Sequence, residues 1–392
     1  MFEIILKNPN SRCGIIRTKN REIKTPFFMP DATRGFVRSI DNGILEKEID
    51  LEAILINTYH LFLNPGMEII KKAGGAHKFM NWSRPLLSDS GGYQIFSLIH
   101  KNSRLGKITE DEVIFKSPTD GTKHILTPEK AIQIQFDLGV DMMVCLDDPS
   151  PNDYPKEKIA QAVSRTIRWA NRCKKEYEKQ IKVRKISEKN RPLIFGVIQG
   201  GQYLDLRKHC TQELVKIGFD GYGFGARHID SKGNFMEEVV RETASFIPKN
   251  ALRFALGVGT PEDIVKCFSY GWDMFDCVIP TREGRHGRLF LRKEKNVIAS
   301  EAKQSRNIST NSFANIQDDK SFYETININN GKYKDDFSRV DEHCDCVLCK
   351  NHTKAYLHHL FASKEMLGMR LSAIHNLKFY ADLLGALRNS VN

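Results

Sequence analysis

No stretch of this 392-residue chain reaches the roughly 18 consecutive apolar residues of a membrane-spanning helix, so no membrane span is expected. The N-terminal MFEIILKNPNSRCGII lacks a basic segment followed by a long apolar run. It does not read as a secretory leader, and the expectation is a cytoplasmic protein. Cysteine is sparse, nine residues in all, and six are scattered: Cys13, Cys145, Cys173, Cys210, Cys267 and Cys277. That usage excludes a disulfide-stapled scaffold in a reducing compartment. Acidic side chains are in deficit, 48 against 59 Lys and Arg, which leaves a formal net charge of +11. Each cation near a phosphate releases counterions, so the excess suits a polyanionic partner. Charge alone fits a lysine-rich soluble protein equally well.

What is present is an ordinary globular composition, 41% hydrophobic and 27% charged, long enough for one large domain and an appendage. Short apolar, β-prone runs recur at 26–30, 53–57, 85–89, 141–147, 193–199, 220–225, 252–257 and 273–278. Helical periodicity fills the intervals, for example at 128–139, 156–180, 203–217 and 261–271. The last of these starts with Thr260 as N-cap and Pro261 in the first turn. Strands alternating with helices imply a parallel sheet. Eight such units predict an α/β fold, a closed (β/α)8 TIM-type barrel, with a doubly wound open sheet as the alternative.

Several apolar runs finish on polar side chains: Asn57, Asp89, Asp147 and Gln199, with Asp276 interrupting the eighth. Others finish on Gly225 and Gly257, where a backbone can approach a ligand. The carboxyl ends of barrel strands surround one mouth, so these groups are expected to converge there. Single Asp and Asn residues at such places also cap helices. Five together favour a site.

Three motifs carry chemistry. Cys344-Asp345-Cys346-Val347-Leu348-Cys349 is C-x-C-x2-C, a thiolate cluster suited to a closed structural zinc site that lacks one ligand. His358, His359 and His375 all lie on the helical segment that follows, and spacing does not choose among them. Ser88-Asp89-Ser90-Gly91-Gly92-Tyr93-Gln94 follows the third strand, with a tight turn, a carboxyl placed for proton transfer and a ring on which a base could stack. Asp276 is followed by a loop carrying Arg282, Arg285, His286 and Arg288, a carboxylate beside a phosphate-binding strip. Residues 293–325 are Ser-, Asn-, Lys- and Gln-rich and read as a mobile polar insertion or, around 298–306, a short exposed helix. The expected division is a barrel over 1–292, the insertion over 293–325, and a zinc-binding subdomain with C-terminal helices over 326–392.

Taken together, LLSDSGGYQIFS, FGVIQGG, IGFDGYGFG, LGVGTPEDI, GWDMFDCVIPTREGR and CDCVLC, with INTYHLFLNPG upstream, resemble the tRNA-guanine transglycosylase (queuine tRNA-ribosyltransferase) family, bacterial type. The resemblance covers nearly the whole chain outside the insertion. It implies exchange of guanine 34 in the anticodon of GUN tRNAs for a 7-deazaguanine base, preQ1 or queuine, in queuosine modification. It implies Asp276 as the nucleophile of a covalent ribosyl-aspartate and Asp89 as the acid and base. Tyr93, Asp147, Gln199, Gly225, Ala226, Leu256 and Gly257 would bind the base, with Asn57 supporting Asp89. Arg282 and Arg285 would contact the anticodon loop. Cys344, Cys346, Cys349 and His375 would hold one structural Zn2+ per chain. A homodimer is also implied.

Three segments depart from the family pattern: Asp147-Asp148-Pro149 for the usual Asp-Glu-Cys, Gly225-Ala226-Arg227-His228 for Gly-Gly-Leu-Ala, and Leu256 for a usual Met. The second sets Ala where a turn needing positive φ would favour Gly, and it brings bulk and charge to the pocket rim. It is the one support for an alternative, a non-catalytic tRNA-binding subunit of the same fold. An unrelated barrel hydrolase with a carboxylate pair would need neither the zinc cluster nor the basic loop.

Overall fold

The computed structural model describes residues 2–8, 11–293 and 322–391. Eight parallel strands form one sheet: β1 (Phe27–Pro30), β2 (Ile54–Asn57), β3 (Leu86–Asp89), β4 (Met142–Val144), β5 (Leu193–Ile198), β6 (Gly221–Phe224), β7 (Leu252–Ala255) and β8 (Met274–Cys277). From β2 to β8 each pairs with its neighbour in chain order, and β8 pairs back onto β1. A parallel bridge between Asp31 and Leu55, with the Ala32 amide donating to the Leu55 carbonyl at 2.7 Å, joins the edge of β1 to β2 and closes the barrel. The eight strands fall inside the eight runs expected from sequence. The helices Pro128–Leu138, Leu204–Ile217 and Pro261–Ser269 do likewise, while Lys156–Val183 runs three residues past the expected 156–180.

The strands are apolar on both faces because helices cover the outside and side chains fill the inside. Phe27, Met29, Leu55, Leu87, Phe195 and Phe254 belong to the buried cluster within the barrel. Leu45, Trp169, Leu214 and Phe268 belong to the larger cluster between strands and helices. The pleat has a period of two, so the residue two beyond the last interior apolar side chain points into the mouth. Met274 is followed in this way by Asp276, Leu87 by Asp89, Leu55 by Asn57, and Val197 by Gln199.

An antiparallel sheet, Phe2–Lys7, Arg12–Arg17 and Glu22–Thr25, plugs the opposite end, with Ile16 and Ile23 joining the interior cluster. Arg12 fixes it there: Nε donates to Asp273 Oδ1 at 2.9 Å and Nη2 to the Ala251 carbonyl at 2.7 Å. A second small antiparallel sheet, Gly106–Ile108, Val113–Lys116 and Lys123–Leu126, is inserted before β4. Neither sheet was expected from sequence.

Beyond β8, Arg288–Arg292 pairs antiparallel with Tyr323–Asn327. The polar insertion expected over 293–325 therefore extends too far, because Tyr323 to Thr325 are strand. Residues 294–321, including the candidate helix at 298–306, lie outside the described residues. The C-terminal helix Met366–Asn389 packs so closely on the helix Ile279–Arg285 that a Cβ at Gly284 would come within 2.8 Å of backbone at Ser372 and Ala373. Among the described residues, no helix is long and apolar enough to cross a membrane.

Candidate active site and metal cluster

Asp89 ends β3, opposite Asn57 on β2 in the register of the sheet. Asn57 Nδ2 donates to Asp89 Oδ2 at 2.9 Å. The turn that follows needs Gly91: its φ is +83°, and a Cβ there would meet Tyr59 at 2.6 Å. The turn lets the amides of Ser90 and Gly91 favour the Asp89 carboxylate, as do the Gln94 and Asn57 side chains. Burial outweighs them and pushes the carboxyl up to about 6. Tyr93, in the first turn of the helix Gly92–Lys101, is 51% exposed, a large ring left at the rim.

Asp276 on β8 accepts from the Gly257 amide at 2.9 Å. Gly257 makes this bond from a left-handed turn, φ +70°, beyond β7. Burial pushes the Asp276 carboxyl up to about 7 against that bond, and the charges of Asp89 and Asp31 add to the rise. Asp147, beyond β4, is pushed to about 7 by burial, against a hydrogen bond from Gln199 and with help from Asp89 and Asp148. Gln199 Nε2 donates to Asp147 Oδ2 at 2.6 Å, and both side chains are buried. Three carboxyls thus share one mouth, each pushed up chiefly by its own burial, with the charge of Asp89 adding to the rise at Asp147 and Asp276.

Gly225 backs onto this pair. A Cβ there would lie 2.4 Å from Gln199 Nε2. Ala226 adopts φ +63°, so the turn does require positive φ, and this chain meets it with alanine. Arg227 is exposed, while the half-buried His228 lies 6.1 Å from the Phe235 ring and 3.7 Å from Asp263. Burial, with the Arg227 charge, pushes His228 down to about 4, so it is neutral near pH 7 and makes no ion pair there. Asn152 Nδ2 ties the loop down through the carbonyls of Arg227, at 2.8 Å, and Ile229, at 3.1 Å. Leu256 is partly buried against the interior cluster beside these loops.

Sequence reasoning missed Arg207. It is fully buried, its Nε donates to the Gly201 carbonyl at 2.7 Å, and its Nη2 reaches the Gly225 carbonyl at 3.2 Å. The guanidinium therefore links the loops after β5 and β6. An arginine on a helix reads as surface, and the one signal was its place just after the glycine pair Gly200-Gly201. On the other side, the helix Ile279–Arg285 carries Arg282, exposed, and Arg285, half-buried.

Cys344, Cys346, Cys349 and His375 are all buried, with ligand atoms within 4.8 Å of one another. His375 Nδ1 lies 3.6 Å from Cys346 Sγ and 3.3 Å from Cys349 Sγ. Its Nε2 is 2.8 Å from the Phe290 carbonyl, which turns Nδ1 toward the sulfurs. Four donors on a tetrahedron with bonds of about 2.0–2.3 Å stand roughly 3.5 Å apart, so the spacing fits one tetrahedral metal. Three soft sulfurs and an imidazole leave no open position, which makes the role structural. His358, by contrast, meets the Ile328 carbonyl at 2.7 Å.

Fold and mouth together define a β/α barrel with buried carboxyls in its mouth and a buried Cys3His cluster outside the barrel. The family model described as Queuine tRNA-ribosyltransferase matches residues 8–392. The queuine tRNA-ribosyltransferase of Halothermothrix orenii is 41% identical over 386 residues, 98% of this chain and 91% of that protein. That of a Thermoanaerobacter species is 42% identical over 97% of this chain and 90% of its own length. That of Staphylococcus aureus is 38% identical over 98% and 90%. The chain belongs to the queuine tRNA-ribosyltransferase family, a family of transferases.

Proposed function

We propose that this chain is a tRNA-guanine transglycosylase of queuosine modification, exchanging guanine 34 of GUN tRNAs for preQ1 or queuine. The observation that carries the reading is the pair Asp276 and Asp89, each held by a hydrogen bond in one barrel mouth and each poised near neutrality. The Asp276 carboxylate attacks C1′ of the ribose. A C1′–O bond forms as the bond to guanine breaks, and the departing base takes the electron pair and a proton from Asp89. Developing positive charge at C1′ favours an ionised Asp276 against it, while Asp89 keeps its proton for the departing base. Asp89 then takes a proton from the incoming base, which displaces Asp276. Two displacements retain the anomeric configuration, as in a retaining glycosidase.

Tyr93 stacks on the base, and Asp147 and Gln199 hydrogen-bond its polar edge. Gly225, Ala226 and Gly257 present backbone groups to it, and Leu256 packs on its face. Arg282 and Arg285 take anticodon-loop phosphates. The four-donor cluster holds one structural zinc. The chain acts in the cytoplasm as a homodimer.

The test is incorporation of labelled guanine into a tRNA with a GUN anticodon, repeated with Asp276→Ala. Exchange that vanishes in the variant supports the reading. Wild-type protein that binds the tRNA tightly and exchanges nothing overturns it in favour of a non-catalytic subunit.

A further inference from the structure

Asp31 stands just beyond β1, next to the strand that carries Asp276, and has no part in the exchange as proposed above. Phe27 and Met29 point into the barrel, so the pleat carries Asp31 to the same face, at the mouth. Met29 is opposite Asp276 in the register of β1 and β8. Asp31 therefore lies one pleat above Asp276, on the solvent side. Its backbone is fixed by the bridge to Leu55 that closes the barrel.

The carboxylate is half committed. Oδ1 accepts from the Thr33 amide at 2.8 Å and from the Thr33 hydroxyl. Oδ2 makes no hydrogen bond and no ion pair among the described residues. Burial pushes this carboxyl up, against the Thr33 amide and the charges of Arg38 and Arg285, neither of which reaches it as a salt bridge. The result is a free acceptor oxygen held between Asp276 and the basic strip.

An internal nucleotide has its 3′ and 5′ oxygens esterified. Its 2′-hydroxyl is then the sugar's one hydrogen-bond donor, and it sits on the carbon next to C1′. One pleat on adjacent strands is a diagonal offset of about 7 Å between backbones. A C1′–C2′–O2′ edge held between two carboxylates spans such a gap.

We propose that Asp31 accepts a hydrogen bond from the 2′-hydroxyl of the nucleotide attacked by Asp276, so that the mouth selects ribose over deoxyribose. The inference rests on the transglycosylase reading. The 2′-hydroxyl is the group by which a protein separates RNA from DNA at a single position. An acceptor fixed at this place also orients C1′ toward the Asp276 oxygen.

The experiment uses two anticodon stem-loops that differ only in guanosine or 2′-deoxyguanosine at the exchanged position. Exchange of labelled guanine is followed with wild type, Asp31→Ala and Asp31→Asn. The readout is the ratio of kcat/KM for the two substrates, so a variant that folds only in part still gives a valid number. Wild type is expected to prefer the ribonucleotide by roughly 10- to 100-fold, the range for a hydrogen bond to a charged group. Asp31→Ala should bring the ratio close to one, and Asp31→Asn, which keeps an acceptor oxygen, should fall between. A ratio in Asp31→Ala equal to that of wild type overturns the proposal, as does a wild type indifferent to the hydroxyl. Wild type that exchanges neither substrate removes the transglycosylase reading itself, a failure visible before any variant is made.

Discussion

Asn57 Nδ2 donates to Asp89 Oδ2 at 2.9 Å, while Asn57 Oδ1 accepts from the His60 amide at 3.3 Å. One side chain thus caps the helix Thr58–Leu61 and holds the carboxyl on the next strand. The cap uses the oxygen, so the amide must face Asp89 nitrogen first. A fixed donor toward a carboxylate stabilises its charged form and restrains the pKa that burial raises.

Asn57→Ala removes that restraint. The ionisation belonging to Asp89, about 6 in the intact site, should move to higher pH. Exchange should fall by on the order of tenfold, the scale of one lost hydrogen bond to a charged group. The pH profile of kcat checks this. A limb that stays in place counts against Asn57 acting through Asp89.

Asp276 must be ionised to attack, and its carboxyl is pushed up to about 7. Because the departing guanine also needs the proton of Asp89, which is pushed up to about 6, covalent adduct formation in a single turnover should follow a bell with its maximum between about 6 and 7 and fall on both sides. Asp276→Ala should hold tRNA within a few-fold of wild type and form no adduct at any pH. An adduct in that variant would reassign the nucleophile.

The barrel was legible because strands buried on both faces leave continuous apolar runs, as in LIFGVI at Leu193–Ile198. Mouth residues were legible where a polar side chain broke such a run, as Asp276 does in Met274–Cys277. Asp31 was not, because the apolar run 26–30 closes on Pro30, one residue before the carboxyl. The N-terminal sheet was missed because Phe2–Lys7 is largely exposed and carries no clean alternation. His375 could not be chosen by spacing, since it reaches the cysteines only through the packing of the C-terminal helix beside Phe290.

The Cys3His cluster ties that helix down through His375, and the helix braces the mouth. Asn376, next to His375, donates to the Pro280 carbonyl at 3.0 Å, and the Tyr380 hydroxyl to the Gly259 carbonyl at 2.6 Å. Cys346→Ser should lower zinc from about one per chain to well below that and reduce thermal stability. It should also slow exchange, although the cluster touches no substrate. Elemental analysis beside thermal unfolding checks this, and full stability without metal would remove the structural role.

Burying the Asp276 carboxyl also costs the fold stability, with a definite pH dependence. Asp276 titrates near 3.8 in an unfolded chain and near 7 in the folded one. Between those values the folded protein binds more protons than the unfolded, so stability falls as pH rises. The contribution of the neutral form is complete below about pH 4 and lost on passing through about 7. Asp276→Asn keeps the shape and removes the charge. It should match wild type near pH 4 and exceed it at pH 8 by roughly 1–4 kcal/mol, the linkage value of such a shift. Urea unfolding at both pH values gives the comparison. A variant less stable than wild type at pH 8 would mean that the Gly257 hydrogen bond outweighs the burial of charge, and that Asp276 is ionised well below neutrality.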